Sequence, residues 1–273
     1  MFSVLILSKD EEANVGACLE SVAWCDDVVV LDSQSKDRTR DIASAKGARV
    51  FERAFDNFGA QRNHALGNID FKHPWVFHLD ADERFNDDLR RECEEVIAKD
   101  RHSAYFVANR LIFLGRWIKH SSQYPYHQVR LVKRGEVRFA KSGHGQKEES
   151  ALRGAGYLQT PYDHLNFSKG IYDWVERHNR YSSEEAAEAA ALCEEPIPFT
   201  DLLSADSLVR KRALKRLHAR LPARWLFKFV YLYVWKLGFL DGYPGFAYCM
   251  LNGFYDFLIS AKIKEIERLR PKV

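Results

Sequence analysis

The stretch His78-Leu79-Asp80-Ala81-Asp82-Glu83-Arg84 is the starting point for interpreting the whole chain. It includes the end of an apolar run that begins at Trp75-Val76-Phe77 and predicts a buried strand. Two carboxylates one residue apart repel each other, and partial burial increases that cost unless a cation is present. Hard cations such as Mg²⁺ bind carboxylate oxygens and share their remaining positions with substrate phosphates. The stretch therefore predicts a metal-diphosphate site; the alternative is an acidic turn that caps a helix over 86–99.

Length and composition limit the class of protein. The 273 residues suffice for one large domain or a domain with an appendage, and a net charge of +3 argues against wholesale nucleic-acid binding. The five cysteines are scattered without metal-ligand spacing, which predicts reduced thiols in a cytoplasmic protein. The chain enters a predicted strand over 2–7 without a basic region or cleavage site, so we expect no signal peptide.

Strands and helices alternate through the first part of the chain. Apolar runs at 3–8 and 27–31 predict parallel strands that are covered on both faces, and a third short strand is predicted at 48–51. This alternation predicts a parallel α/β sheet with helices on its faces. Ligands of such sheets bind beyond the carboxyl ends of the strands. Because Glu11, Asp32 and the Asp80/Asp82 pair all follow strand ends, they predict one shared site.

Later segments supply further candidates. Arg62 lies near the start of a helix that opens at Phe58 and could bind a diphosphate through charge-assisted hydrogen bonds, or else be a solvated surface arginine. Short strands are predicted at 105–108, 111–114 and 129–132, and a helix over 171–192. The polar stretch 141–149 predicts a loop that approaches a ligand. Within it, His144 is either a metal ligand or proton shuttle, or an ordinary hydrogen-bonded loop residue.

The last third differs in composition. One basic amphipathic helix is predicted between 208 and 228, and a final helix over 247–269. No apolar run between them reaches the roughly 20 residues that span a bilayer. Basic and aromatic residues coincide here, which predicts a monotopic surface on an anionic membrane; the alternative is a helical hairpin that packs on the core or forms an oligomer contact. We therefore predict a catalytic domain over 1–195 and an amphipathic helical region over 196–273.

Three motifs, in this order, resemble the signatures of family 2 glycosyltransferases of the GT-A fold: Ser8-Lys9-Asp10-Glu11-Glu12-Ala13-Asn14-Val15, Leu31-Asp32-Ser33-Gln34-Ser35-Lys36-Asp37-Arg38-Thr39 and Leu79-Asp80-Ala81-Asp82-Glu83. Within that family the chain is similar to the bacterial lipopolysaccharide-core β-1,4-glucosyltransferase group. The matching features are Gln61-Arg62-Asn63, Gln128-Val129-Arg130-Leu131-Val132, Arg177-His178-Asn179-Arg180-Tyr181-Ser182 and Gly238-Phe239-Leu240-Asp241-Gly242. The resemblance implies a Rossmann-like, mostly parallel sheet with helices on both faces, plus a C-terminal helical, membrane-associating extension.

The resemblance also implies roles for the candidate residues. Glu11 and Asp32 would hold the nucleoside of a nucleotide-sugar. Ser8 and Ser35, which lie in the first two motifs, are included with the donor-binding residues. Asp80 and Asp82 would meet the ribose-diphosphate and a Mg²⁺ or Mn²⁺ ion, with Asp82 the direct ligand. UDP-sugar is the favoured donor.

The general base is where the sequence departs from the family pattern. Relatives often have His-Glu where this chain has His144-Gly145-Gln146. Glu148 is the preferred replacement, Glu149 and Asp163 are further candidates, and His144 would be a metal ligand or helper. The resemblance implies that a carboxylate base deprotonates the acceptor hydroxyl, which then attacks with inversion.

Together these features predict a metal-dependent inverting glycosyltransferase. It would act on the cytoplasmic face of a bacterial plasma membrane, as a peripheral protein, on a lipid-linked or lipopolysaccharide-core acceptor. Two alternatives stay open. A polyprenyl-phosphate glycosyltransferase would need little base catalysis because its acceptor is already a phosphate. A non-catalytic nucleotide-binding module would bind the donor without turnover.

Overall fold

The computed structural model describes residues 1–142, 145–194, 198–220 and 223–269. The chain divides into two compact units, one of residues 1–112 with 123–168 and one of residues 113–122 with 169–273. The predicted functional boundary at residue 195 stays a prediction. Cys18, Cys25, Cys93 and Cys249 are free thiols.

Most of the described strands belong to the first unit. In chain order the strands are β1 Ser3–Ser8, β2 Val28–Asp32, β3 Arg49–Glu52, β4 Trp75–Asp80, β5 Glu83–Arg84, β6 Ala104–Phe113, β7 Arg116–Trp117, β8 His127–Lys133, β9 Val137–Ser142, β10 Gly145–Ala151, β11 Ala155–Tyr157 and β12 Tyr162–His164, of which β7 belongs to the second unit. The helices of the first unit are α1 Val15–Ser21, α2 Thr39–Ala45, α3 Phe58–Asn68 and α4 Asp87–Lys99.

The central sheet of the first unit is mixed, with a parallel half and a largely antiparallel half. Its strands lie in the order β3-β2-β1-β4-β8-β6-β12-β5. Strands β3, β2, β1 and β4 are parallel, with Ser8 opposite Asp32 and Leu7 opposite Asp80. Strand β8 is antiparallel to both β4 and β6. The register places the carboxyl ends of β1, β2 and β4 at one edge of the sheet, as the sequence predicted.

Alternation along β1 creates two separate cores. Val4 and Ile6 pack in one cluster with buried residues of α1, α2 and α4. Leu5 and Leu7 pack in another cluster with buried residues of α3. Because successive side chains of a strand point to opposite faces, these two sets show that helices cover both faces of the sheet. The prediction of a strand covered on both faces is confirmed.

Two sequence predictions in this unit were wrong. The segments predicted as strands at 105–108 and 111–114 form one ten-residue strand, β6, because backbone pairing continues through the polar Asn109 and Arg110. The stretch 141–149, predicted as a loop, is mostly a hairpin of β9 and β10, in which Gly145 lies opposite Ser142. Strand pairing uses backbone hydrogen bonds, so a polar sequence can pair when a neighbouring strand offers a partner edge.

The second unit is helical. Its helices are α5 Gly170–Glu194, α6 Phe199–Leu202, α7 Ser207–Arg220, α8 Arg224–Val230 and α9 Gly242–Leu269, with a π-helical turn at Tyr231–Trp235 and a 3₁₀ turn at Gly238–Asp241. The single basic helix predicted over 208–228 is two helices, α7 and α8, and Ala223 before α8 has a left-handed φ of 52° that ends helical continuity. No helix in the described part of the chain is long and apolar enough to cross a membrane.

The motif Gly238-Phe239-Leu240-Asp241-Gly242 builds a buried carboxylate niche in this unit. Asp241 is buried and accepts hydrogen bonds from the backbone N–H groups of Lys119, His120 and Ser121 at 3.0–3.3 Å. A Cβ added at Gly245 would lie 2.3 Å from the Gly238 carbonyl oxygen and 2.5 Å from the Asp241 Cβ. Glycine is therefore required for the close approach of α9 to the 3₁₀ turn.

Candidate active site

The turn after β4 is held by bonds from several distant segments. The Ala81 N–H donates to the Leu7 carbonyl at 3.2 Å, and the Leu165 N–H donates to the Asp82 carbonyl at 2.9 Å. The Arg84 guanidinium donates to the carbonyls of Ala81 and Glu83 at 3.1 and 2.8 Å. These bonds fix the backbone that carries Asp80 and Asp82 before any ligand is present.

Two buried arginines hold Asp80. Arg62 Nη2 lies 3.1 Å from Asp80 Oδ1, and Arg130 Nη2 lies 3.1 Å from Asp80 Oδ2. Burial would raise the pKa of Asp80, but Arg130 and Arg62 outweigh it and lower the pKa to about 2. Asp80 is therefore an ionised carboxylate at neutral pH. Burial lowers the pKa of Arg62 to about 10, against the opposing effect of Asp80.

Arg130 also binds a second acid of the same turn. Its Nη2 lies 2.6 Å from Glu83 Oε1, while Glu83 Oε2 accepts the Asp80 N–H at 2.8 Å. The Tyr162 hydroxyl accepts from Arg130 Nε at 3.0 Å, and the His78 carbonyl accepts from Nη1 at 3.3 Å. Burial raises the pKa of Glu83 to about 7 despite Arg130. Arg130 thus ties Glu83 to Asp80 within one buried group.

Asp82 faces a different partner. Its Oδ2 lies 3.3 Å from Nε2 of His164, and both side chains are partly exposed. This proximity follows from the antiparallel pairing of β12 with β5, which places His164 opposite Glu83. Burial would lower the pKa of His164, but Asp82 raises it to about 9. The turn thus presents one carboxylate and one imidazole at the edge of the sheet.

The two predicted donor loops interlock beside this turn. Asp32 has no exposed side-chain surface and accepts hydrogen bonds from the hydroxyls of Ser8 and Ser35. Ser35 Oγ also accepts the Asp10 N–H at 2.8 Å. The structure thus gathers Ser8, Asp32 and Ser35 into one buried cluster that shapes the loops. Their part in binding a nucleoside stays a prediction.

Glu11 lies in the first of these loops and is partly buried. Its N–H donates to Thr39 Oγ1 at 2.7 Å, and its Oε2 accepts from the Asn14 amide at 2.6 Å. Through Thr39 the loop after β1 is joined to the start of α2. Glu11 therefore sits where the loops after β1 and β2 meet, at the carboxyl ends of both strands.

The candidate bases differ in whether the structure describes their side chains. Asp163 is partly exposed, and its Oδ1 lies 2.6 Å from Nε of Arg110. It neighbours His164 on β12, so its side chain leaves the strand on the opposite face. Glu148 lies on β10, but its side chain is outside the described residues, as are Glu149's side chain and His144 as a whole. The choice of base stays a prediction.

Sequence reasoning did not assign His164, Glu83, Arg130 or Tyr162 to the site. One signal was available: Arg130 interrupts the apolar run Val129-Arg130-Leu131-Val132, and a buried guanidinium requires a buried anion. The His164 contact depends on pairing between β5 and β12, which are far apart along the chain, and no local pattern reveals it.

The site's donor atoms suit a divalent cation in part. Asp82 offers carboxylate oxygens, and His164 would offer a ring nitrogen only after losing the proton that Asp82 favours; together they are a donor set that Mn²⁺ accepts. Asp80 is less suited, because each of its oxygens is bound by an arginine. No group of three or more His, Cys, Asp or Glu side chains gathers as a metal site within the described ranges. A cation here would share its remaining positions with ligand oxygens.

This arrangement of a mixed sheet with helices on both faces is a GT-A-like α/β fold. The chain belongs to glycosyl transferase family 2, whose sequence model matches residues 3–147. Both the predicted fold and the predicted family are confirmed, and the protein is a glycosyltransferase.

Three similar proteins illustrate the relationship. The uncharacterized glycosyltransferase RT0209 of Rickettsia typhi is 26% identical over 97% of this chain and 87% of its own length. The lipopolysaccharide core biosynthesis glycosyltransferase LpsC of Rhizobium meliloti is 25% identical over 99% of this chain and 94% of its own. A glucosyl-3-phosphoglycerate synthase from Mycobacterium tuberculosis, solved with Mn²⁺, UDP and glucosyl-3-phosphoglycerate, is 17% identical with a TM-score of 0.43, covering 61% of this chain and 72% of that one.

Proposed function

We propose that this protein is an inverting hexosyltransferase that moves the sugar of a UDP-sugar donor to a lipopolysaccharide-core or lipid-linked acceptor. The observation that carries the proposal is the turn after β4, where Asp82 and His164 lie beside an Asp80 that two arginines keep ionised. Membership in family 2 supports the nucleotide-sugar donor. The near full-length similarity to LpsC supports the acceptor class.

Asp82 and His164 are the residues that would hold Mg²⁺ or Mn²⁺. When bound, the cation supplies positive charge that stabilises the departing nucleoside diphosphate. Asp80 stays ionised at neutral pH and is proposed to meet the ribose and diphosphate side of the donor, with Arg62 holding its carboxylate in place. Glu11 and the cluster of Ser8, Asp32 and Ser35 are proposed to shape the nucleoside pocket.

The acceptor hydroxyl must lose a proton as it attacks the anomeric carbon from the face opposite the diphosphate. A carboxylate that takes this proton would be Glu148 or Asp163. His144 is proposed as a helper or as a further metal ligand.

The experiment that tests the function is a transfer assay with radiolabelled UDP-sugars and a truncated lipopolysaccharide core. We expect Mn²⁺-stimulated transfer to a sugar hydroxyl, giving an acid-stable glycosidic product. An acid-labile product on polyprenyl phosphate would instead identify the alternative enzyme, because glycosyl phosphates hydrolyse in mild acid. Donor binding without transfer to either acceptor would identify a nucleotide-binding module.

We also propose that the helical unit attaches the enzyme to the cytoplasmic face of the plasma membrane. Phe227, Tyr231 and Trp235 are spaced by four residues and are exposed, with Trp235 80% exposed and Phe227 63%. Tyr243 at the start of α9 is 72% exposed. The exposed Arg210 and Lys211 belong to α7, which contains no acidic residue. Aromatic and basic groups of this kind favour the interface of an anionic bilayer.

Replacing Phe227, Trp235 and Tyr243 together by serine is expected to weaken binding to anionic vesicles. Each lost aromatic anchor is worth about 1.5 kcal/mol or more if buried in lipid, so we expect a fall of at least about tenfold per side chain. Co-sedimentation with phosphatidylglycerol vesicles measures the change. Leu152→Ser removes an equally exposed apolar group from the first unit and should have no effect. Equal binding of the triple variant and the wild type would contradict membrane attachment through these residues.

A further inference from the structure

Glu83 and Arg130 form a buried pair behind the proposed donor site. Each side chain is about 1% exposed, so neither can contact a bound nucleotide-sugar directly. Glu83 uses both carboxylate oxygens, one for Arg130 Nη2 at 2.6 Å and one for the Asp80 N–H at 2.8 Å. Arg130 Nη2 also reaches Asp80 Oδ2 at 3.1 Å. The three residues therefore form a closed ring that includes both the backbone and the side chain of Asp80.

The ring is anchored in the core of the sheet. Tyr162 is fully buried and accepts from Arg130 Nε at 3.0 Å, and its aromatic ring lies 4.9 Å from the Arg130 guanidinium carbon. Tyr162 and His164 both belong to β12, two residues apart on the same face of the strand. One short strand thus contacts the ring of residues through Tyr162 and Asp82 through His164.

The hydrogen bonds of this group distinguish Asp82 from its neighbours. Arg62 and Arg130 together engage three of the four carboxylate oxygens of Asp80 and Glu83, and the Asp80 N–H engages the fourth. Asp82 instead faces His164, whose Nε2 lies 3.3 Å from its Oδ2. A cation would therefore reach Asp82 more readily than Asp80 or Glu83, because binding to either of those two acids would displace an arginine or a backbone N–H.

We propose that Glu83 and Arg130 are positioning residues for the transfer reaction: they fix the Asp80–Asp82 turn and direct the cation to Asp82 without touching donor or acceptor. This inference rests on the proposed function. Groups that orient metal ligands from behind typically change metal affinity or activity about 10- to 100-fold when they are replaced. A buried pair kept only for stability would not have that effect.

Glu83→Gln tests the proposal with little change in shape. The amide has one acceptor oxygen where the carboxylate has two, so either Arg130 or the Asp80 N–H would face an NH₂ group. We expect the affinity for Mn²⁺, titrated as MnCl₂ in the presence of UDP and measured by electron paramagnetic resonance, to fall about 10- to 100-fold. We also expect kcat to fall with little change in KM for the acceptor, because acceptor contacts are untouched.

Asp27→Asn is the matched control. Asp27 is a fully buried carboxylate in the same unit, just before β2 and hence at the opposite end of the sheet from the turn. It accepts from the Lys72 N–H at 2.7 Å and from Arg49 Nη2 at 2.6 Å. Both replacements should lower the unfolding temperature, because each removes a charge from a buried group, but in Asp27→Asn the Mn²⁺ affinity should stay within about twofold of wild type, because Asp27 lies at the opposite end of the sheet from the turn.

Tyr162→Phe is the second variant, should Glu83→Gln fail to fold. It removes one hydrogen bond to Arg130 and keeps the aromatic ring in place, so we expect a smaller fall in Mn²⁺ affinity in the same direction. Wild-type Mn²⁺ affinity and kcat in either folded variant would overturn the positioning role. Absence of any Mn²⁺-dependent UDP binding by the wild type would instead overturn the proposed function, and the positioning role with it.

Discussion

Asp82→Asn is expected to lower kcat/KM for sugar transfer about 10³-fold while the protein stays folded. The amide keeps the size of the side chain but loses the charge that would hold the cation opposite His164. Lewis-acid stabilisation of a leaving diphosphate contributes several kcal/mol, and each step of about 1.4 kcal/mol corresponds to about a tenfold change in rate. Initial rates at saturating Mn²⁺, together with the thermal unfolding midpoint, measure both parts of the prediction.

Asp88→Asn provides the control for this prediction. Asp88 is an exposed acid in the first turn of α4 and pairs with the exposed Arg91, three residues along the helix. Its loss should leave transfer unchanged, because exposed ion pairs contribute little. If Asp82→Asn retained wild-type kcat/KM, the acidic turn would have no catalytic role and would serve only as the turn that precedes α4.

Asp241→Ala is expected to destabilise the helical unit by about 3 kcal/mol or more. The truncation leaves three backbone N–H groups, those of Lys119, His120 and Ser121, without their acceptor, along with the Ser121 hydroxyl. Lys119 is exposed and its N–H can bind water, but the Ser121 N–H and hydroxyl are buried, and each buried donor left unsatisfied costs about 1–3 kcal/mol. Urea unfolding measures the loss in free energy of unfolding, and native-state amide hydrogen exchange at residues 119–121 measures where the structure opens.

Asp173→Asn serves as the matched control for Asp241→Ala. Asp173 pairs with Arg177 one turn along α5, and both side chains are partly exposed. Such a pair contributes about 0.3–0.5 kcal/mol, so the control should scarcely change the urea midpoint. Unchanged hydrogen exchange at 119–121 in Asp241→Ala would mean that the niche does not hold this segment.

The predictable part of the fold was the part encoded locally. Apolar runs predicted β1 and β2, and the helix predicted over 86–99 is α4, which begins at Asp87 with Asn86 accepting the Leu89 N–H. The antiparallel half of the sheet was harder to predict from the sequence, because β8 pairs with both β4 and β6, which are distant from it along the chain. Polar residues within β6 and β10 also concealed strands, since pairing there does not depend on an apolar pattern.

In the candidate site too, the features encoded locally in the sequence were predictable, and the contacts between distant segments were not. Asp80 and Asp82 were evident because two acids after a buried strand are costly without a partner. Their actual partners were not evident: Arg62 contacts Asp80, while its role toward a diphosphate stays a prediction, and His164 reaches Asp82 only through the register of β12 with β5. The hydrogen bonds of the Asp32 carboxylate with Ser8 and Ser35 were likewise not evident from the sequence, and its role toward the nucleoside stays a prediction.

The central claim is that a metal and a uridine nucleotide bind together at the turn after β4. Calorimetric titration of the wild type with UDP in Mn²⁺, and again in EDTA, tests it most directly, with GDP and dTDP for comparison. We predict that UDP binds in Mn²⁺ at least about tenfold more tightly than in EDTA, and more tightly than either other nucleotide. Absence of UDP binding, or equal affinity in Mn²⁺ and EDTA, would contradict the claim.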